Sequence, residues 1–104
     1  MKKKVFKKYQ ETLRQRLKNP ELAILYLNDA LANKDRRIFL LALKDVLEAK
    51  GDGLAEIAKE AQLNRQNLYR IFSKKGNPRW DSLTSLFNVL GLQLHLSFKK
   101  NEII

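Results

Sequence analysis

Apolar residues recur along most of the chain at the three- and four-residue spacing of amphipathic helices. Between residues 36 and 50 the apolar positions follow i, i+3, i+4, i+7 and i+8: Phe39, Ala42, Leu43, Val46 and Leu47. Such a stripe is typical of a helix that packs one face against a core. The pattern predicts helices over about 7–18, 20–33, 36–50, 54–61, 65–74 and 80–90.

Residues that favour helix boundaries stand between the predicted helices. Asn19 is followed by proline, a pair typical of an N-cap and a first helical position. Asp35 and Asn64 are candidate N-caps of the third and fifth helices. Gly76 suits the position just after a helix, where a left-handed residue often ends it. Both the apolar periodicity and the residues at the boundaries therefore support a division into six helices.

The end of the chain follows a different period. Residues 92–98 alternate apolar and polar without exception, which predicts one half-buried strand. A single strand has no partner inside the chain and is unstable alone. We therefore expect it to pair antiparallel with the same strand of a second copy, so that the chain is a homodimer. The expected interface residues are Leu92, Leu94, Leu96 and Phe98. Domain swapping and packing flat on the helices are the alternatives.

The size and composition limit the fold class. With 104 residues and 12.2 kDa, the chain accommodates one domain. We expect an all-α fold, with a basic N-terminal arm or helix over 1–18 and a single helical domain over 19–104. The absence of cysteine excludes disulfides and thiolate zinc sites. No apolar run reaches the ~20 residues of a membrane span, and no apolar signal core follows the N-terminal lysines, so we expect no membrane association and a cytoplasmic location.

The charge of the chain suggests a polyanionic partner. The net charge is +10 and the isoelectric point is about 10.0. Residues 1–18 hold eight basic residues against Glu11 alone, and residues 61–80 hold five basic residues and no acid. Nucleic acid is the commonest partner of such a basic excess. Two interpretations of the arm stay open: it is a solubilising segment, or it contacts phosphates.

The segment 54–74 has the pattern of a helix-turn-helix motif. Ala58 supplies the small residue at which two steeply crossing helices touch. The wedge between the helices is filled by apolar residues at the required spacing: Ile57, Ala61, Leu63, Leu68 and Ile71. One departure is Gln62, which stands where glycine is common and has to accept a positive φ.

With Leu68 and Ile71 turned inward, the outer face of the second helix is polar and basic, and such a helix enters the major groove by its amino end. The candidate base-reading residues are Arg65, Gln66, Tyr69 and Arg70. Arginine pairs bidentately with guanine and glutamine with adenine. The candidate phosphate contacts are Asn64, Asn67, Lys74, Lys75, Gly76 and Arg79. We expect double-stranded operator DNA as the partner.

Plainer interpretations exist for several of these residues. Arg65 and Arg70 could belong to a solvated helix face that pairs with Glu60 or Glu56. Tyr69 could be a partly buried aromatic residue. We expect Trp80 to be a core or staple residue rather than a platform for base stacking.

Nothing in the sequence indicates catalysis. His95 is the only histidine and stands on the polar side of the predicted strand, where we expect it to be exposed. No glycine-rich phosphate loop and no histidine–cysteine metal set occur. We therefore expect no enzyme, no catalytic residue, no cofactor and no metal.

Six segments resemble the antidote proteins of bacterial and prophage addiction modules. These segments are Tyr26–Leu31, Phe39–Leu43, Ile57–Ala58, Leu68–Arg70, Gly76–Pro78 and Leu90–Leu92. The resemblance covers about residues 20–98 and is to small lambda-repressor-like, HigA-type helix-turn-helix antitoxins. It implies a dimer that represses its own two-gene operon and neutralises a RelE-like, RNA-cleaving toxin. Because such toxins are usually basic, toxin binding by residues 1–18 is disfavoured.

Other functions stay open beside this one. An orphan prophage regulator of the same fold would bind an operator without a toxin. A protein-interaction module would hold a toxin, with DNA binding secondary. RNA binding through the N-terminal arm is weaker, because only Phe6 and Tyr9 are there to stack on bases.

Overall fold

A computed structural model describes residues 2–99, with side chains from Val5 onward, and within these residues the secondary structure is entirely helical. The helices are α1 (Lys2–Leu17), α2 (Pro20–Leu31), α3 (Arg36–Ala49), α4 (Leu54–Glu60), α5 (Arg65–Ile71) and α6 (Trp80–Val89). The all-α class predicted from periodicity is confirmed. No helix in this part of the chain is long and apolar enough to cross a bilayer.

Local sequence sets the starts of three helices. Asn19 Oδ1 accepts a hydrogen bond from the Glu21 N–H at 2.9 Å, and Asp35 Oδ1 accepts one from the Arg37 N–H at 3.0 Å. Asn64 caps α5 in the same way. All three predicted N-caps are confirmed. The Arg37 guanidinium also bonds the Asp35 carboxylate, and these bonds lower the pKa of Asp35 from its usual value.

Two helix boundaries differ from the prediction by three residues or more. α1 begins at Lys2 rather than near residue 7, because helix-forming lysines continue the helix without an apolar stripe. α5 ends at Ile71 rather than near residue 74. The Ser73 hydroxyl and N–H both bond to the Arg70 carbonyl, which closes the last turn early.

The core lies where α3 contacts α1, α2 and α4 and where α4 contacts α5 and α6. Its most deeply buried side chains are Leu43, Leu47, Ile57, Leu68 and Leu86. Each such side chain stabilises the fold by about 1.5–3 kcal/mol relative to full exposure. Phe39 and Phe87 meet edge to face, with ring centroids 6.2 Å apart, and join α3 to α6. The short helices α4 and α5 are thereby attached to a packed body.

The segment predicted as a strand over 92–98 forms no strand in the described residues. A strand requires ladder hydrogen bonds to a neighbour, and residues 2–99 of one chain contain no other strand to supply them. Leu92 packs partly buried against the core, and residues 92–95 border a groove of about 530 Å³ beside α2 and α6. Leu96 and Phe98 are 102% and 83% exposed. The first half of the segment thus matches the alternative of packing on helices, and the apolar residues of the second half are exposed.

Two further expectations were wrong. Gly76 is not in the left-handed region; it is buried at a close approach to α5, where an added Cβ would overlap the Ile71 carbonyl and come within 2.9 Å of the Arg70 carbonyl oxygen. Trp80 is not a core residue, because it is 63% exposed. It is the first residue of α6 and precedes the buried residues Leu86 and Phe87 by more than one helical turn.

Candidate nucleic-acid interface

The turn between α4 and α5 is built around Gln62. Its φ is 58°, so the predicted positive φ is confirmed. The Gln62 N–H donates to the Lys59 carbonyl at 3.1 Å, and the Leu63 N–H donates to the Ala58 carbonyl at 2.9 Å. This pair of bonds is a Schellman motif, in which glycine usually occupies the left-handed position. The motif ends α4 and turns the chain into α5.

The next contacts fix the orientation of α5. Asn64 Oδ1 accepts a hydrogen bond from the Asn67 N–H at 2.6 Å. Leu68 and Ile71 are buried on the inner face of α5, and Ile57 and Ala58 are buried on α4. Because the inner face packs against the core, the opposite face of α5 is exposed to solvent.

The outer face of α5 carries the four residues predicted to read bases. Arg65, Gln66, Tyr69 and Arg70 are all exposed. The Arg65 Nε donates to the Tyr69 hydroxyl at 3.4 Å, and the guanidinium carbon lies 5.9 Å from the centre of the Tyr69 ring. Tyr69 therefore supports Arg65 from one helical turn away. It is about half exposed rather than buried.

Glu56 and Glu60, the acidic residues that could have paired with these arginines, form no ion pair with them. Glu60 pairs with Lys50, whose Nζ lies 3.2 Å from Glu60 Oε2 and 2.9 Å from Asp52 Oδ2. Across residues 2–99, neither Arg65 nor Arg70 forms an ion pair. The alternative of a charge-paired helix face is therefore not observed.

The loop after α5 adds cations beside this face. Lys74 and Lys75 are exposed, and Arg79 is the exposed N-cap residue of α6. The Gly76 N–H donates to the Ser73 carbonyl at 2.9 Å, so this predicted phosphate donor is already bonded within the loop. Asn64 is the N-cap of α5, and Asn67 lies in its first turn and is half-buried.

Sequence reasoning missed two residues beside the predicted set. Arg36, the first residue of α3, donates from Nη1 to Asn77 Oδ1 at 3.1 Å and so fixes the loop that carries the lysines. No local pattern signals this contact, because 41 positions separate the residues. Trp80 is exposed directly after Arg79. The sequence signal for this exposure was the position of Trp80 at the start of α6, before the apolar stripe.

We found no second chemical centre in the described part of the chain. No group of three or more potential metal ligands converges there. His95 is exposed, and its Nε2 lies 3.2 Å from the Gln93 side-chain nitrogen.

Comparison with known proteins identifies a family. Residues 7–98 match the model of the family described as "Probable addiction module antidote protein". An uncharacterized protein of Haemophilus influenzae is 30% identical over 82 residues, which is 79% of this chain and 82% of that protein. No solved structure matches the chain significantly. The chain therefore belongs to the addiction module antidote family.

Proposed function

We propose that this antidote protein is also a sequence-specific DNA-binding repressor of its own operon. The supporting observation is the outer face of α5, on which two arginines, a glutamine and a tyrosine are exposed and no acidic partner is present among the described residues. A helix held by its inner face, with a cationic outer face, suits insertion into the major groove. We take the fold to be lambda-repressor-like and HigA-type, as the sequence resemblance implies.

The residues divide by the DNA group that they contact. Arg65 and Arg70 read guanine through its O6 and N7, and Gln66 reads adenine through N6 and N7. Tyr69 holds the Arg65 guanidinium in place and presents its ring to the neighbouring base edge. Phosphate contacts fix the register and come from Asn64, Asn67, Lys74, Lys75, Arg79 and the loop at Gly76.

The repressor acts as a homodimer in this proposal. Leu94, Leu96 and Phe98 are exposed in the segment after α6, and exposed apolar residues at alternate positions are suited to pairing with a second copy. A two-fold dimer presents two copies of α5 about 34 Å apart, one turn of DNA. The operator is then an inverted repeat with that spacing.

Family membership implies a toxin partner, and we propose that the partner is a RelE-like, RNA-cleaving protein. The antidote neutralises it by binding, in the cytoplasm, and has no catalytic activity, cofactor or metal of its own.

Binding to the promoter tests the repressor proposal. The full chain is titrated into a labelled duplex from upstream of its own gene, and in parallel into a shuffled duplex of equal length and composition. We expect the promoter duplex to bind at least about 10³-fold more tightly at physiological salt, since specific and non-specific affinities typically differ by this much or more. Equal affinities would contradict sequence-specific repression.

A further inference from the structure

Arg36 joins the first turn of α3 to the loop between α5 and α6. Its Nη1 donates to Asn77 Oδ1 at 3.1 Å. The preceding loop residue, Gly76, lies against the end of α5, where an added Cβ would overlap the Ile71 carbonyl. Because Asn77 directly follows Gly76, the Arg36 guanidinium lies near the C-terminal end of α5. A residue from outside the helix-turn-helix is thus brought to the edge of the proposed DNA-binding surface.

The guanidinium of Arg36 has no acidic partner within residues 2–99. The adjacent acid is Asp35, but its Oδ1 and Oδ2 accept hydrogen bonds from Nε and Nη2 of Arg37, at 3.2 and 3.0 Å. Asp81, in the first turn of α6, forms no ion pair in this part of the chain either. The two neighbouring arginines therefore differ, because Arg37 is paired with a carboxylate and Arg36 is not.

Arg36 also has unused hydrogen-bond donors. A guanidinium carries five N–H groups, and the bond to Asn77 uses one of them. The side chain makes no other hydrogen bond to the described residues, and Arg36 is exposed. Its remaining donors therefore face solvent. A planar guanidinium with several open donors matches the oxygens of a phosphate group.

The position of Arg36 adds a cation to those that follow α5. Asn77 stands between Lys75 and Arg79 in the loop, and both of these residues, like Lys74, are exposed. None of the three forms an ion pair within residues 2–99. Cations gathered without an acid repel one another, and a phosphate backbone offsets that repulsion. The charge of this region thus favours a polyanion as its ligand.

We propose that Arg36 is a further phosphate-contacting residue of the DNA interface, held in position by Asn77. This inference rests on the proposed function, since it adds a contact to the same DNA-bound surface. Phosphate contacts carry no sequence information. Arg36 therefore strengthens binding to any duplex and helps to fix the register of α5, without reading a base.

The salt dependence of DNA binding tests this contact. The full chain and its variants are titrated into the promoter duplex and the shuffled duplex at several NaCl concentrations. We expect Arg36→Gln to bind both duplexes more weakly and to flatten the slope of log K against log salt by about 0.9, the value for one phosphate contact. Arg36→Lys should restore the slope, because it keeps the charge.

The matched control is Lys44→Gln, which removes one positive charge from the same helix more than two turns away from Arg36. It should keep the wild-type slope. A wild-type slope in Arg36→Gln would overturn the phosphate contact and leave Arg36 as a structural link between α3 and the loop. An equal flattening by Lys44→Gln would also overturn it, because the effect would then be one of net charge.

A double-mutant cycle tests the part played by Asn77. If Asn77 holds the guanidinium in position, Asn77→Ala should weaken DNA binding in the wild-type chain more than in Arg36→Gln. Equal losses in the two backgrounds would overturn the positioning role. The slope guards against a folding defect, because a smaller folded fraction lowers the apparent affinity but does not remove a phosphate contact.

Failure of the proposed function gives a separate result. If the wild-type chain binds the promoter and shuffled duplexes equally, sequence-specific repression fails, and the slope on either duplex still tests Arg36. If it binds neither duplex, both proposals fail. If it prefers the promoter and Arg36→Gln keeps the wild-type slope, the assignment of Arg36 alone is wrong.

Discussion

Single residues determine how α4 turns into α5, and Gln62 is the clearest of them. It holds a left-handed conformation that glycine adopts without strain, and for other residues this conformation costs roughly 1–2 kcal/mol. The two Schellman hydrogen bonds around it make the conformation obligatory. The positive φ of Gln62 therefore makes the fold less stable than it would be with glycine at this position.

Replacing Gln62 by glycine tests this strain. We expect Gln62→Gly to raise the free energy of unfolding by about 0.5–1 kcal/mol, because relief of the positive φ exceeds the extra entropy of glycine in the unfolded chain. Gln66→Gly is the matched control and should lower it by about 1 kcal/mol, since Gln66 has helical geometry within α5. The measurement is urea unfolding followed by circular dichroism. A lower stability for Gln62→Gly would show that the side chain is needed at the turn.

Some roles of single residues were predictable from the sequence, and others were not. The caps at Asn19, Asp35 and Asn64 were predictable because each bond spans three residues or fewer. The role of Gly76 was not, because it depends on the distance between a loop and the end of α5, which no local pattern specifies.

At the scale of elements, the six helices followed from periodicity, whereas the start of α1 and the end of α5 did not. α1 extends to Lys2 because lysine is a good helix former, so its N-terminal half is a cationic helix, exposed in the part from Val5 onward. The strand failed for a different reason. Alternation predicts a surface that is half apolar, but only a neighbouring strand completes the ladder. Sequence alone does not say whether that neighbour is present.

The basic half of α1 gives a prediction at this scale. Each lysine that contacts a phosphate steepens the salt dependence of DNA binding by about 0.9 in the log–log slope. We expect replacement of the five N-terminal lysines by glutamine to flatten that slope, with the helix kept because the two residues have similar helix propensity. The replaced residues are Lys2, Lys3, Lys4, Lys7 and Lys8. The matched set of lysine-to-arginine changes should keep the wild-type slope. An unchanged slope in the glutamine set would make this segment a solubilising arm.

At the scale of the whole molecule, charge is unevenly distributed among the helices. The cations of 61–80 lie on and beside α5, whereas α2 carries Glu21 and Asp29 and no lysine or arginine. The sequence predicted the first region, because its residues are neighbours in the chain. It did not reveal the hydrogen bond from Tyr26 to Asp45, because 19 positions separate the two residues.

The dimer proposal is tested at the same scale. Because Leu96 and Phe98 are exposed in the single chain, we expect Leu96→Lys/Phe98→Lys to leave the fold intact and shift the protein to a monomer. Sedimentation equilibrium at tens of micromolar gives the mass directly. Gln93→Lys/Ser97→Lys changes the polar side of the same segment and should remain dimeric. A wild-type chain that sediments as a monomer would contradict pairing through residues 92–98.

Base reading by α5 is the central claim, and its most direct test is the binding of single variants to the operator duplex and to a shuffled duplex. We predict that Arg65→Ala and Arg70→Ala each lose about 1–3 kcal/mol on the operator and little on the shuffled duplex. Lys74→Ala, a phosphate contact, should weaken both duplexes alike. Wild-type operator affinity in both arginine variants would contradict the claim.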